Sequence, residues 1–136
     1  MYPLELVKPM QQELENSGFT SLHTVEEVEK AINNEGTTLV VVNSVCGCAA
    51  GTCRPGAIAS LQFDKTPKNL VTVFAGVDKD ATEKAREFMI PFPPSSPSIA
   101  LFKNGTLVHM LERHHIEGRP AEAIASNLAA AYEEYC

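Results

Sequence analysis

The stretch Thr37-Thr38-Leu39-Val40-Val41-Val42-Asn43-Ser44-Val45-Cys46-Gly47-Cys48-Ala49-Ala50-Gly51-Thr52-Cys53-Arg54-Pro55 decides how this chain is read. Its first six residues are threonine, leucine and valine with no polar alternation, which predicts a central strand buried on both faces. The apolar run stops at Asn43. Two thiols follow one residue apart, and small, helix-compatible residues lead on to Cys53 and Pro55. A strand that ends in closely spaced thiols and passes into a helix presents a thiolate to the helix's unpaired N–H groups and its dipole. Thiolate is the form of cysteine that attacks disulfides, so the layout points to thiol–disulfide chemistry.

Working outward, the rest of the chain alternates helix and strand. Met10 to Ser17 reads as a short polar helix after Pro9, ended by Gly18, and Phe19 to Leu22 as a short edge strand. Thr24 starts a better helix, because Glu27 gives the capping-box spacing and Val25, Val28 and Ile32 fall at helical intervals. After the cysteines, Arg54 to Leu61 reads as helix with Pro55 in its first turn, and Asn69 to Gly76 as a second central strand. Asp80 is expected to cap the next helix, with Glu83 completing a capping box and Ala81, Ala85, Phe88 and Met89 on its buried side. A Pro-rich loop over 91–97 leads to a strand from Ser98 to Phe102. Asn104-Gly105 is a two-residue hairpin signal, and the strand from Thr106 to Leu111 returns antiparallel. Pro120 to Tyr135 closes the chain as a helix, with Ala123, Ile124, Leu128 and Ala131 on one stripe. This order predicts an α/β fold in one domain over residues 1–136: a mixed central sheet with helices on both faces.

Composition narrows the function. At 136 residues, 44% hydrophobic and 21% charged, the chain can bury a core without disulfide staples. A net charge of −6 with no basic cluster argues against nucleic acid or an anionic membrane as partner. No apolar run approaches a membrane span, and the N-terminus has neither a basic segment nor an apolar export core, so the expected compartment is the cytoplasm. In a reducing compartment, four cysteines with three inside 46–53 point to catalysis, redox sensing or metal binding rather than to a disulfide framework.

Within the motif, Cys46 is the candidate nucleophile, since it stands where the strand ends and the helix begins. Cys48 is the candidate resolving thiol. Gly47 is the spacer, chosen for the backbone angles that a tight Cys46–Cys48 ring demands. Such a ring is strained, and the couple is expected to be relatively oxidising. Cys53 reads either as a third exchange partner or as a small buried residue on the first helix turn, and Cys136 as an exposed thiol. Asn43 and Ser44 either steer the thiolate or serve the loop. Arg54 either attracts the carboxylates of a small thiol and stabilises thiolate, or faces solvent. Adjacent His114 and His115 fit a metal site or a surface turn, and the turn is the simpler reading. Cys46, Cys48 and Cys53 also admit a cysteine-cluster metal-binding protein, although structural zinc sites use wider pairs. Pro97, on base rates alone, is an ordinary trans proline.

Two local patterns resemble thioredoxins: the thiol motif behind the central strand, and Pro97-Ser98-Ile99-Ala100-Leu101-Phe102-Lys103-Asn104-Gly105, like the segment where a cis-proline precedes a strand. The motif is Cys-Gly-Cys rather than Cys-x-x-Cys. Val42 to Gly51 with Arg54-Pro55, together with Pro9-Met10, Thr24 to Val28 and Arg113 to Gly118, closely resembles the bacilliredoxin family. That resemblance covers nearly the whole chain and implies a thioredoxin-like three-layer sandwich. It implies a thiol–disulfide oxidoreductase that removes bacillithiol, or another low-molecular-weight thiol, from mixed disulfides on cytosolic client proteins; protein disulfide isomerase is the near alternative. No bound cofactor or metal is expected. The small thiol is a co-substrate, its reductase a partner, and the chain a monomer or homodimer. Pro97 then becomes an expected cis-proline, with Ser96 N–H and C=O available to an extended substrate. Cys53 stands where the family resemblance leads one to expect alanine.

Overall fold

The computed structural model describes residues 2–136. Five strands form one sheet: β1 (Thr20–Ser21), β2 (Thr37–Asn43), β3 (Asn69–Phe74), β4 (Ser98–Lys103) and β5 (Thr106–Leu111), in the order β1-β3-β2-β4-β5. Pairing is parallel from β1 through β3 to β2, then antiparallel from β2 to β4 and β4 to β5. Every residue of β2 is buried, as its unbroken apolar run requires of a central strand.

Alternate side chains of that strand build two cores. Leu39 and Val41, with Ile99 and Leu101 of β4, face α1 (Leu4–Glu15), α3 (Arg54–Ala59) and α6 (Ala121–Tyr135). Val40 and Val42, with Ala100 and Phe102, face α2 (Val25–Ile32) and α4 (Lys79–Glu87). The fold is the mixed α/β three-layer arrangement expected. The capping box at Thr24 forms as the spacing predicts: Glu27 N–H donates to Thr24 Oγ1, and Glu27 Oε1 accepts from Thr24 N–H. The hairpin turn takes the positive φ values that Asn-Gly favours, 51° at Asn104 and 83° at Gly105.

Three boundaries differ from expectation. α1 starts at Leu4 and runs through Pro9 rather than beginning after it. Pro9 forfeits only one helical N–H bond, and Val7 and Leu14, on either side of it, are held in the core. α4 is capped by the residue Asp78 and not by Asp80: Asp78 C=O accepts from Thr82 N–H. Its carboxylate turns back to Phe74 N–H and to His23 Nδ1. Finally, a short helix, α5 (Arg113–Ile116), follows β5 where a surface turn was expected; Glu112 N–H donates to His115 Nδ1 in its cap.

Candidate active site

The chain leaves β2 at Asn43 and turns through Ser44 and Val45 into a helical segment starting at Gly47. Cys46 therefore occupies the capping position: its C=O accepts from Ala49 N–H and Ala50 N–H, and its N–H donates to Ser44 Oγ at 3.2 Å. From 49 to 53 the helix is a π turn, closed by Arg54 N–H donating to Ala49 C=O, and it continues as α3. The widened turn lies directly before Pro55, which has no N–H and whose ring crowds the carbonyl four residues back in a regular helix.

The two sulfurs of Cys46 and Cys48 are 2.9 Å apart, both as free, half-buried thiols. Their proton affinities diverge. The Cys46 thiol is held below the usual cysteine range, first by its hydrogen bond with Cys48 Sγ and by Cys48 N–H, then by the Arg113 guanidinium and Ala49 N–H. Burial pushes the Cys48 thiol up, and the developing charge on Cys46 pushes it further. A thiolate at this position acts as a helix cap: the N–H groups that would otherwise be orphaned stabilise its charge. Cys46 therefore gives up its proton more readily than Cys48.

Arg113 is the residue that sequence reading missed as part of the site. From α5, across the cleft, its Nη2 donates to Cys46 Sγ at 3.3 Å and its Nη1 to Ser96 C=O at 3.3 Å. Glu117, one helical turn on, accepts from its Nε and Nη2 and raises the guanidinium's proton affinity. The only sequence signal was the Arg-His-His-Ile-Glu run; Arg113 and Glu117 fall at i,i+4, a pairing that means something only once this run is helical. The His114 and His115 rings lie tilted at 48° to one another with centroids 4.0 Å apart, and His115 caps α5.

The Ser96–Pro97 peptide bond is cis, and so is Ile90–Pro91, which nothing in the sequence reading anticipated. Ser96 lines one cleft of about 510 Å³ with Cys46, Ser44, Val45, Ala75, Gly76, Tyr2, Arg86 and Arg113. Gly76 has φ +88°, and a Cβ there would meet the Tyr2 ring at 2.7 Å, so both backbone conformation and close approach demand glycine.

Several side chains are placed differently from expectation. Arg54 neither faces solvent nor reaches the thiols. It is 3% exposed, and donates from Nε to Glu13 Oε1 at 2.9 Å and from Nη1 to Asn43 Oδ1 at 2.8 Å and Ser44 C=O at 3.0 Å. Asn43 and Ser44 serve that clamp: Asn43 Nδ2 donates to Met10 C=O, and Asn43 Oδ1 accepts from Ser44 N–H. Neither touches a sulfur; the Ser44 hydroxyl acts on the Cys46 backbone. Gly47 does not take a positive φ in this dithiol form, and nothing lies within 4 Å of where its Cβ would be. Cys53 lies within the core beside Leu39 and Ile99, and burial pushes its thiol up to about 12. Its burial and raised thiol support the packed-residue reading over that of an exchange partner, since thiolate and access are what attack on a disulfide needs. The cysteine-cluster metal reading loses its third thiolate with it. Among the described residues, the group with metal-ligand spacing is Glu112, His114 and His115, and no cysteine belongs to it. Cys136 is exposed, its Sγ 3.5 Å from Thr37 Oγ1.

The model of a family described as disulphide isomerase matches residues 2–136. A bacilliredoxin of Cytophaga hutchinsonii is 60% identical over 134 residues, covering 98% of this chain and 99% of that protein. The chain belongs to the bacilliredoxin family. A second bacilliredoxin, from Halalkalibacterium halodurans, is 57% identical over 136 residues, covering 99% and 94% of the two chains. Among solved structures, a protein with a thioredoxin fold aligns with TM-score 0.64 at 16% identity, covering 85% of this chain and 95% of its own. Mitochondrial thioredoxin 3 of Saccharomyces cerevisiae aligns at 0.56 and 14%, covering 87% and 96%. These likenesses establish the thioredoxin fold, and with the bacilliredoxin relatives they make this chain a thiol–disulfide oxidoreductase. Among the described residues no helix is long and apolar enough to cross a membrane.

Proposed function

We propose that this bacilliredoxin removes bacillithiol, or a similar low-molecular-weight thiol, from mixed disulfides on cytoplasmic client proteins through Cys46 and Cys48. The observation that carries the reading is the opposed tuning of two thiols 2.9 Å apart, Cys46 lowered and Cys48 raised. It supports a division of labour. The Cys46 thiolate attacks the small-thiol sulfur of the mixed disulfide, and the client's sulfur leaves as thiolate and takes a proton from solvent. Cys46 now carries the small thiol. Cys48 then loses its proton and attacks Cys46 Sγ, which expels the small thiol and closes a Cys46–Cys48 disulfide. Two electrons have passed from the dithiol to the mixed disulfide, and an external thiol or dithiol reductase must return them. Arg113 supports the first step by stabilising the attacking thiolate, and its exposed position leaves room for a client.

The test uses a bacillithiolated or glutathionylated client with wild type, Cys46→Ala and Cys48→Ala. Wild type releases the small thiol, Cys46→Ala releases none, and Cys48→Ala stops with the small thiol on Cys46, visible by mass spectrometry. Full activity in Cys46→Ala would overturn the assignment of the nucleophile. The matched family's description favours a second reading, a protein disulfide isomerase. Reactivation of a scrambled disulfide-bonded protein by Cys48→Ala as well as by wild type would support it, since shuffling needs only the first thiol.

A further inference from the structure

The cleft beside Cys46 carries more positive charge than the exchange chemistry uses. Among the described residues its lining includes two arginines, Arg86 and Arg113, and no carboxylate, in a chain whose net charge is −6. Arg113 is committed to Cys46 Sγ and Glu117. Arg86 has no carboxylate within hydrogen-bonding reach among the described residues; its one anionic neighbour, Glu83, lies on its own helix and acts on it only through its charge. Arg86 projects from the last turn of α4, partly buried, and its one hydrogen bond runs from Nη2 to Ser95 C=O at 3.3 Å. Its Nε is buried without a partner, and burial lowers its affinity for a proton. Most other charged side chains brought into partial burial here have a counter-charge: Arg54 has Glu13, and Lys84 has Glu29 and Glu87. A guanidinium that gives up solvent with one N–H unpartnered and no hydrogen-bonded carboxylate is costly, and an anion arriving with the substrate offsets that cost.

The two guanidiniums grip neighbouring carbonyls of one loop, Arg86 that of Ser95 and Arg113 that of Ser96, immediately before Pro97. Both therefore face the cleft from fixed anchors. When Cys46 becomes bonded to a small thiol its negative charge disappears, so the Arg113 Nη2 that held the thiolate is released toward the same space. We propose that Arg86, assisted by Arg113, forms a carboxylate-binding subsite beside Cys46. The assignment rests on the exchange reading above and deepens it: Arg86 is the residue that selects the small-thiol half of the mixed disulfide. A cationic cleft on an acidic protein also steers an anionic substrate toward the nucleophile.

The test compares two mixed disulfides of one peptide, carrying N-acetylcysteine or N-acetylcysteinamide, which differ only in a carboxylate. Wild type turns over the acid roughly tenfold faster in kcat/KM than the amide at low ionic strength, the size of one charge-assisted hydrogen-bonded pair. Added salt shrinks that ratio. Arg86→Gln brings it close to one, whereas Lys84→Gln, which removes the same charge from the same helix outside the cleft, keeps it. A wild-type ratio of one, or a ratio unchanged by Arg86→Gln, overturns the subsite. So does a preference that follows a Glu or Gln placed in the peptide rather than the small thiol. Alkylation of Cys46 by iodoacetate against iodoacetamide repeats the comparison without turnover. If neither disulfide is reduced yet Arg86→Gln still lowers the iodoacetate ratio, the exchange reading fails while the anion site stands.

Discussion

Replacing Arg54 by methionine tests whether the site is held by a buried clamp, and its size follows from the contacts. Methionine keeps much of the side-chain stem but removes three donated bonds, to Glu13, Asn43 and Ser44. The Glu13 carboxylate is 38% exposed and regains water, so that bond contributes only about 0.5 kcal/mol. Asn43 Oδ1 keeps its bond from Ser44 N–H. The Ser44 carbonyl loses its charged donor, which costs about 1–3 kcal/mol. Weakening the Asn43 bond adds about 1 kcal/mol, and relief of guanidinium desolvation offsets part of the sum. The net expectation is a loss of about 2–3 kcal/mol. For a chain of this length that lowers the melting temperature by about 10 °C. Urea unfolding of wild type and Arg54→Met measures it, with Glu13→Gln expected to lose about 0.5 kcal/mol. A loss below about 1 kcal/mol, combined with failure to bind acidic substrates, would refute the clamp and return Arg54 to substrate recognition.

Because the Cys46 thiol is lowered from its ordinary value, its alkylation reaches half-maximal rate at a lower pH than a free cysteine. Arg113→Gln moves that curve back to higher pH, and a curve that does not move would remove Arg113 from the site. Cys53, with its thiol at about 12 against 9.0 for an ordinary cysteine, stays unlabelled by iodoacetamide until the protein unfolds. Its folded-state value is the higher one, so its contribution to stability is complete below about pH 9 and is lost as pH rises toward 12; Cys53→Ala should show a shallower alkaline decline and keep its exchange activity. Gly56→Ala would set a Cβ 2.7 Å from Ile124 Cβ and 3.1 Å from Ala121 C=O, where α3 meets α6. We expect a loss of about 2 kcal/mol in thermal or urea unfolding despite alanine's better helix propensity; an unchanged protein would mean the two helices can separate freely.

What was legible in the sequence was local or periodic. The unbroken Thr37–Val42 run set a central strand, Thr24 and Glu27 set a helix start, and Asn104-Gly105 set the hairpin. Cys46-Gly47-Cys48 behind that strand set the chemistry under consideration. Each signal rests on backbone geometry and alternation over a few residues, which neighbours along the chain determine. What the sequence left open were pairings between distant segments. Arg54 looks like any surface cation until Glu13 and Asn43, 41 and 11 residues away, enclose it. Cys53 reads as part of a thiol cluster until the helix turns it into the core. Arg113 and Arg86 lie 67 and 40 positions from Cys46, on helices that meet it only where strands β2 and β3 end and β4 begins. Charge acts through space and burial depends on packing from every side. The sequence therefore determined where the thiols stand along the chain, and the tertiary structure decided how their proton affinities diverge, which of them is buried, and what charge surrounds the cleft.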